Sequence, residues 1–337
     1  MKAIGFFQSF PITHPEALIA RDVPRPVAAG RDLLVRIAAV SVNPVDTKVR
    51  ASSARDGGDF RILGWDAVGT VEATGPDCRL FRPGDRVFYA GAIGRAGTNA
   101  EYHLVDERIV GPAPAKLSDA EAAALPLTAI TAWEMLFDRL DIHKPVPGAG
   151  NALLVIGGAG GVGSMAIQLA KVLGNVTVIA TASRLETQDW VRSLGADHVI
   201  DHTRPLAAQV AALGIGAPAF VFSTTQTDRH FDQIAEAIAP QGRFGLIDDP
   251  DHFDVRKLKR KSVSLHWELM FTRSIFGTDD MIEQHKLLSE VGRLVDAGRI
   301  RSTVAEHFGT ITAENLRRAH GLLESGRARG KIVLEGF

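Results

Sequence analysis

The chain has 337 residues, 45% of them hydrophobic and 23% charged, with a formal net charge of -1. That length is too great for one ordinary core and predicts two domains, while the near-neutral charge offers no field for nucleic acid or an anionic membrane. A single cysteine, Cys78, excludes an intramolecular disulfide and a thiolate metal cluster.

The N-terminus reads as a strand over residues 1–7 without the apolar core of a signal peptide, so a cytoplasmic protein is expected. Short strands are predicted at 33–40, 67–73, 86–88 and 101–105, separated by Pro- and Gly-rich turns such as Arg82-Pro83-Gly84-Asp85. That pattern predicts an antiparallel, barrel-like domain. From residue 152 the pattern changes. Strands at 152–156, 176–181, 198–200, 220–222, 244–247 and 263–267 alternate with helices at 164–173, 185–194, 206–213 and 230–238. Such alternation predicts a doubly wound parallel sheet covered on both faces, an α/β dinucleotide-binding fold with its ligand at the carboxyl ends of the strands. The basic run 256–261 is read as a solvated connection, with a subunit rim or attraction of an anionic cofactor as the alternatives. A long helix at 280–297 and strands at 302–307 and 331–334 follow, without crossover partners in the parallel domain. The C-terminus is therefore expected to return to the first domain, giving parts 1–126, 127–268 and 269–337, with the dinucleotide-binding part inserted in the middle.

The most specific local signal is Gly157-Gly158-Ala159-Gly160-Gly161-Val162-Gly163, directly after a β-branched run and directly before a helical pattern. Gly158, Gly160 and Gly163 fit G-x-G-x-x-G. The first glycine is expected to allow the tight turn, the second the approach of a pyrophosphate, and the third close helix–strand packing, with free N–H groups of the helix start facing the phosphates. The next strand runs into Ala182-Ser183-Arg184. An acid there would hydrogen-bond the ribose hydroxyls of NAD and repel a 2′-phosphate. A hydroxyl followed by a guanidinium suits that phosphate instead, so NADP(H) is the expected cofactor. The alternative for Arg184 is an exposed helix-start residue without a ligand.

With these features in place the chain resembles the medium-chain dehydrogenase/reductase superfamily, in its quinone oxidoreductase-like branch and the group of zinc-type alcohol dehydrogenase-like proteins. The resemblance rests on Ser41-Val42-Asn43-Pro44-Val45-Asp46-Thr47-Lys48, Gly64-Trp65-Asp66-Ala67-Val68-Gly69-Thr70-Val71, Pro83-Gly84-Asp85-Arg86-Val87, Leu127-Thr128-Ala129-Ile130-Thr131-Ala132-Trp133, the glycine turn and residues 326–334. It implies a GroES-like catalytic domain in two pieces around a Rossmann domain, with the active site in the cleft between them. It also implies Asn43 and Thr131 at the nicotinamide end and Gly160, Gly161 and Val162 along the pyrophosphate. Ser183 and Arg184 would lie at the adenosine phosphate, Ser223, Thr224 and Ile247 along the cofactor, and Lys331 reaching toward it. A homodimer through the dinucleotide domain is implied as well.

The zinc-using relatives take a Cys and a His-Glu pair at segments that here read Ser41-Val42-Asn43-Pro44 and Gly64-Trp65-Asp66, so the sequence lacks the three ligands a catalytic zinc needs. His198 and His202 are four apart but fall on a strand end and the loop after it, where that spacing does not converge, and His103, His266 and His307 are isolated in sequence. Without a Lewis acid, alkoxide stabilisation is missing, whereas reduction of a quinone or an α,β-unsaturated carbonyl needs only a hydrogen-bond donor and a later proton. Asn43, Lys48, Trp65 and Asp66 are the candidate catalytic residues. Lys48 is either a proton donor or a solvated cation at the rim, and it stands where many quinone reductases carry a tyrosine. Trp65 is a flat wall for a planar substrate or plain core. Asp46 is a structural acceptor in its turn or an acid–base group. The substrate pocket depends on loops 50–60, 91–99 and 268–278, in which Phe271 and Phe276 are either an aromatic wall or packing. Alcohol dehydrogenation and a non-catalytic, NADPH-binding sensor or structural role are the competing functions.

Overall fold

The computed structural model describes residues 1–52 and 58–337, so part of the expected 50–60 loop lies outside the described residues. The chain divides into two compact units, Thr131–Met270 and Met1–Ile130 with Phe271–Phe337. The sequence-based boundaries stood at 126/127 and 268/269.

In the unit Thr131–Met270 the described residues form a six-stranded sheet. Its order is His198–Ile200, Thr177–Thr181, Gly150–Ile156, Pro218–Ser223, Arg243–Leu246 and Ser264–Trp267. Every neighbouring pair is parallel. In chain order this is 3-2-1-4-5-6, the doubly wound arrangement expected from strand–helix alternation. Leu153, Leu154, Val155, Phe220, Val221 and Phe222 are completely buried, because a central parallel sheet is covered on both faces and needs an unbroken apolar run.

The covering helices are Gly161–Leu169, Leu185–Ser193, Leu206–Ala212 and Thr227–Ala237. The first begins three residues before the apolar periodicity does, because glycines form its first turn. Beyond Leu169 it widens into a π-turn, Ala170–Gly174, closed by Asn175 in the left-handed conformation. A second π-turn, Glu134–Arg139, lies against the sheet, and a Cβ on Gly245 would stand 2.1 Å from the Met135 sulfur. A glycine in that strand is what lets the helix approach so closely. The basic run, expected as a solvated connection, forms a 3-10 helix, Val255–Lys261, with Arg256, Lys257, Lys259 and Arg260 exposed. Leu258 is buried beneath it, Lys257 pairs with Asp232, and Lys261 Nζ donates to the Glu236 and Ile238 carbonyls.

The other unit is built on the strand Asp32–Val42. The sheet order is Val304–His307, Lys331–Glu335, Asp32–Val42, Asp66–Thr74, Arg86–Tyr89 and Val110–Pro112, with Tyr102–Asp106 also pairing Asp32–Val42. All pairs are antiparallel except Val304–His307 with Lys331–Glu335. The C-terminal strand thus lies antiparallel on the first unit's longest strand, Ile332 opposite Val42 and Leu334 opposite Val40, as the missing crossovers implied. A smaller sheet joins Ile19–Asp22, Lys2–Phe6 and Arg61–Ile62.

The helices here that escaped the sequence reading include Pro44–Ser52, Asp119–Ala123, Pro126–Trp133, Thr272–Phe276 and Ala313–Glu324. One had a legible start. Ser118 and Glu121 form a reciprocal capping box, the S-x-x-E signature of a helix N-terminus. No described helix is long and apolar enough to cross a membrane.

Candidate active site

Three strand ends converge in the GroES-like unit. Register places Asp66 opposite Ser41 and Ile332 opposite Val42, so Asn43, Asp66 and Lys331 emerge side by side. All three are buried, at 1%, 0% and 3% exposure. Lys331 Nζ donates to Asp66 Oδ2 at 2.9 Å, to the Val42 carbonyl at 3.0 Å and to Asn43 Oδ1. Those bonds use all three protons of the ammonium. Asn43 Nδ2 donates to the same Asp66 oxygen at 2.8 Å, and the Leu127 backbone N–H donates to Asp66 Oδ1 at 2.7 Å. A buried carboxylate is tolerated here because it has both a cation and N–H donors. Lys331, expected along the cofactor, has its ammonium in this cluster.

Asp46 lies beside it. Its carboxylate accepts the Asn43 N–H at 2.8 Å and closes the first turn of Pro44–Ser52. Burial pushes its pKa up to about 7, and the Asp66 charge adds to this, against the lowering effect of the Asn43 and Gly64 N–H groups and the Lys331 charge. Asp46 is therefore both the turn acceptor and a group that titrates near neutrality. Trp65 is 2% exposed, with its ring edge-to-face on Phe271 at 6.0 Å between centroids. It is packed as a core side chain, while Phe276 is exposed. Lys48 stands on an exposed position of Pro44–Ser52, unlike the buried Asn43, Asp66 and Lys331.

The residues do not fit a catalytic zinc. Among the described residues no group of three or more His, Cys, Asp or Glu side chains could hold a metal ion. Asp66 already carries the Lys331 ammonium, so a second cation there would meet its repulsion, while the neighbouring Asp46 carboxylate accepts the Asn43 N–H within its own turn. His103 is held neutral in the core, its pKa lowered to about 4 chiefly by burial. Its ring contacts the Tyr89 hydroxyl at 3.1 Å and the Ala96 carbonyl at 2.9 Å.

In the other unit the glycine turn divides its tasks differently from the expectation. The left-handed residue is Gly157, with φ +77°, one position before the first glycine of the motif. A Cβ on Gly158 would approach Ala180 Cβ to 2.9 Å, and one on Gly163 would approach the Gly157 carbonyl oxygen to 2.4 Å. Both are packing glycines. A Cβ on Gly160 would meet only the Gly157 oxygen at 3.5 Å, so this residue faces open space at the N-cap of Gly161–Leu169. The open side of Gly160 and the first N–H groups of the helix, at Gly161 and Val162, fit the diphosphate of a dinucleotide.

Around this turn, Thr224 Oγ1 donates to the Ile156 carbonyl at 2.8 Å. The buried Ser223 hydroxyl lies 2.7 Å from that of Thr227, and Ile247 is half-buried at its strand end. Thr131 is 5% exposed on Pro126–Trp133. Ser183 is half-buried. Arg184 is exposed at the start of Leu185–Ser193, 3.1 Å from Glu186 Oε1.

Residues 29–115 match the alcohol dehydrogenase GroES-like domain and residues 194–334 the zinc-binding dehydrogenase family. A zinc-type alcohol dehydrogenase-like protein of Staphylococcus aureus is 42% identical over 336 residues, 99% of each chain. A 2-methylene-furan-3-one reductase of Solanum lycopersicum is 38% identical over 317 residues, covering 90% of this chain and 71% of its own. Among solved structures, a putative zinc-dependent alcohol dehydrogenase of Rhizobium etli superposes with TM-score 0.98 at 63% identity, covering 100% of this chain and 98% of its own. A mycobacterial protein complexed with NADPH does so at TM-score 0.82 and 26% identity over 99% of both chains. With a GroES-like unit split around a doubly wound dinucleotide-binding unit, this chain belongs to the medium-chain dehydrogenase/reductase superfamily and is an oxidoreductase of that type.

Proposed function

We propose that the protein is an NADPH-dependent reductase of quinones or α,β-unsaturated carbonyl compounds that works without zinc. The observation that carries this reading is the buried Asn43–Asp66–Lys331 cluster. Its donor set rejects a metal and supplies a fixed polar corner instead. When bound, NADPH supplies the hydride, which adds with its electron pair to the β-carbon of an enone or to a quinone. The chain's part is to orient the acceptor, exclude water and stabilise the negative oxygen that develops. Lys331 and Asp66 hold the two ends of the Asn43 amide, so this group keeps one orientation through the reaction. The proton that completes the reduction goes to the α-carbon of an enone or to the oxygen of a quinone, and it comes ultimately from water.

The Ser183-Arg184 pair, with no acid at the strand end, supports NADP(H) over NAD(H). The tomato reductase and the mycobacterial NADPH complex support the same substrate class and cofactor. A cytoplasmic homodimer goes with this reading. Ser264–Trp267 is an edge strand of its sheet, and Trp267 and Leu269 are 53% and 52% exposed there.

The test is NADPH oxidation across benzoquinones, alkenals and saturated ketones, with NADP⁺ plus secondary alcohols in the reverse direction. Turnover with the first two is expected. Activity confined to secondary alcohols would establish alcohol dehydrogenation instead, and tight NADPH binding without turnover a non-catalytic role.

A further inference from the structure

Two histidines stand at the carboxyl end of the parallel sheet, in a position that dinucleotide binding alone does not explain. Ser183 and Arg184 follow Thr177–Thr181, and His202 follows the adjacent strand His198–Ile200. Thr181 pairs with Ile200, and the Ala182 N–H donates to the Ile200 carbonyl at 3.0 Å, so the two chain segments leave the sheet together. His230, in the first turns of Thr227–Ala237, sets its ring edge-to-face on His202 at 6.2 Å between centroids.

We propose that His202 and His230, with Arg184 and Arg229, form a titratable anion site that strengthens the preference for a 2′-phosphorylated dinucleotide as pH falls. The inference rests on the NADP(H) reading above. His202 is depressed below the ordinary histidine range, first by burial and then by the charges of Arg229 and Arg184, against the raising effect of Asp201. His230 is depressed by burial, then by His202 and Arg229, against Asp228 and Asp248. Without an anion both rings hold a proton less readily than an ordinary histidine. A phosphate dianion reverses the sign of the local field, so its binding draws a proton onto the pair.

Each nearby carboxylate has a partner of its own, and Glu186 sits on Arg184 itself, where a bound phosphate would compete with it. Asp201 accepts from the Thr203 N–H and hydroxyl, Asp248 from the Thr227 N–H and hydroxyl, and Asp228 from the Arg229 N–H. Glu186 pairs with Arg184, Asp189 with Arg192, and Asp232 with Lys257. Helix Leu206–Ala212, packed against both the His198–Ile200 strand and the His230 helix, carries no charged side chain.

Calorimetry of the full-length protein with adenosine 2′,5′-bisphosphate and with 5′-AMP, between about pH 6 and about pH 8, tests this. The bisphosphate is expected to bind more tightly, and its advantage over 5′-AMP is expected to shrink by about tenfold across that range. Proton uptake should show as a dependence of the heat on the buffer's ionisation enthalpy. The second ionisation of the 2′-phosphate acts in the opposite direction, so the decisive comparison is with His202→Asn, a half-exposed position. That variant should lose both the proton uptake and the pH-dependent advantage while keeping its melting temperature. A bisphosphate advantage that is flat with pH, or that falls equally in His202→Asn, overturns the histidine site and leaves the NADP(H) reading standing. No bisphosphate advantage at any pH overturns both.

Discussion

Asn43 has both ends of its amide engaged, Oδ1 by Lys331 and Nδ2 by Asp66, and the cluster stands or falls on the one cation inside it. Lys331→Met leaves the Asp66 carboxylate buried with only N–H donors. Urea unfolding is expected to show a loss of about 3 kcal/mol. The double variant Lys331→Met/Asp66→Asn should be more stable than Lys331→Met alone, because no uncompensated charge remains. Asp46 makes a pH prediction. Its folded-state pKa is raised from 3.8 to about 7, so the folded protein keeps a proton that the unfolded chain releases above about pH 4. Its contribution to stability is therefore complete below about pH 4, declines as pH rises, and is gone above about pH 7, a change on the order of 4 kcal/mol. Comparing unfolding free energies of wild type and Asp46→Asn across that range should show the extra slope only in the wild type. Asn43, Asp66 and Lys331 were each singled out in the sequence as expected site residues, on the resemblance of their motifs. Their ion pair was not, because 265 residues separate Lys331 from Asp66.

Each glycine of the dinucleotide turn answers to a different element, which gives two contrasting predictions. Gly163→Ala drives a Cβ to 2.4 Å from the Gly157 oxygen and 2.8 Å from Gly158 Cα, backbone against backbone. The helix must then lift off the turn, with a stability loss of about 1–3 kcal/mol in a thermal or chemical melt. Gly160→Ala meets nothing closer than 3.5 Å, and its φ of -71° suits alanine. Its melting curve should stay within about 0.5 kcal/mol of wild type, while NADPH affinity measured by fluorescence titration falls, because the methyl group fills the side left open for the diphosphate. Element types in the parallel unit were legible because strand and helix periodicities alternate cleanly there. Helix Pro44–Ser52 was not. Of its nine residues only Asp46, Thr47 and Arg50 are buried, and all three are polar, so it shows no apolar stripe for a periodicity search to find.

At the scale of the whole molecule the edge strand Ser264–Trp267 bears on assembly, since Trp267 is 53% exposed there. A homodimer that covers this edge should dissociate on Trp267→Arg, read as a shift to monomer mass in size-exclusion chromatography with light scattering, with the monomer's far-ultraviolet circular dichroism unchanged. A wild type that is already monomeric at micromolar concentration would remove the dimer from the proposed function. At this scale the sequence by itself determined the class of each unit, the insertion of one within the other, and the lack of zinc ligands at the aligned segments. These are readable because periodicity, glycine spacing and residue identity are local properties of the chain. Only the tertiary structure decided that Lys331 joins Asn43 and Asp66, that Gly157 takes the left-handed turn, and that His202 meets His230. The physical reason is that strand register and helix packing set these neighbours. Both come from burying apolar surface across the whole unit, and no short window of sequence records that.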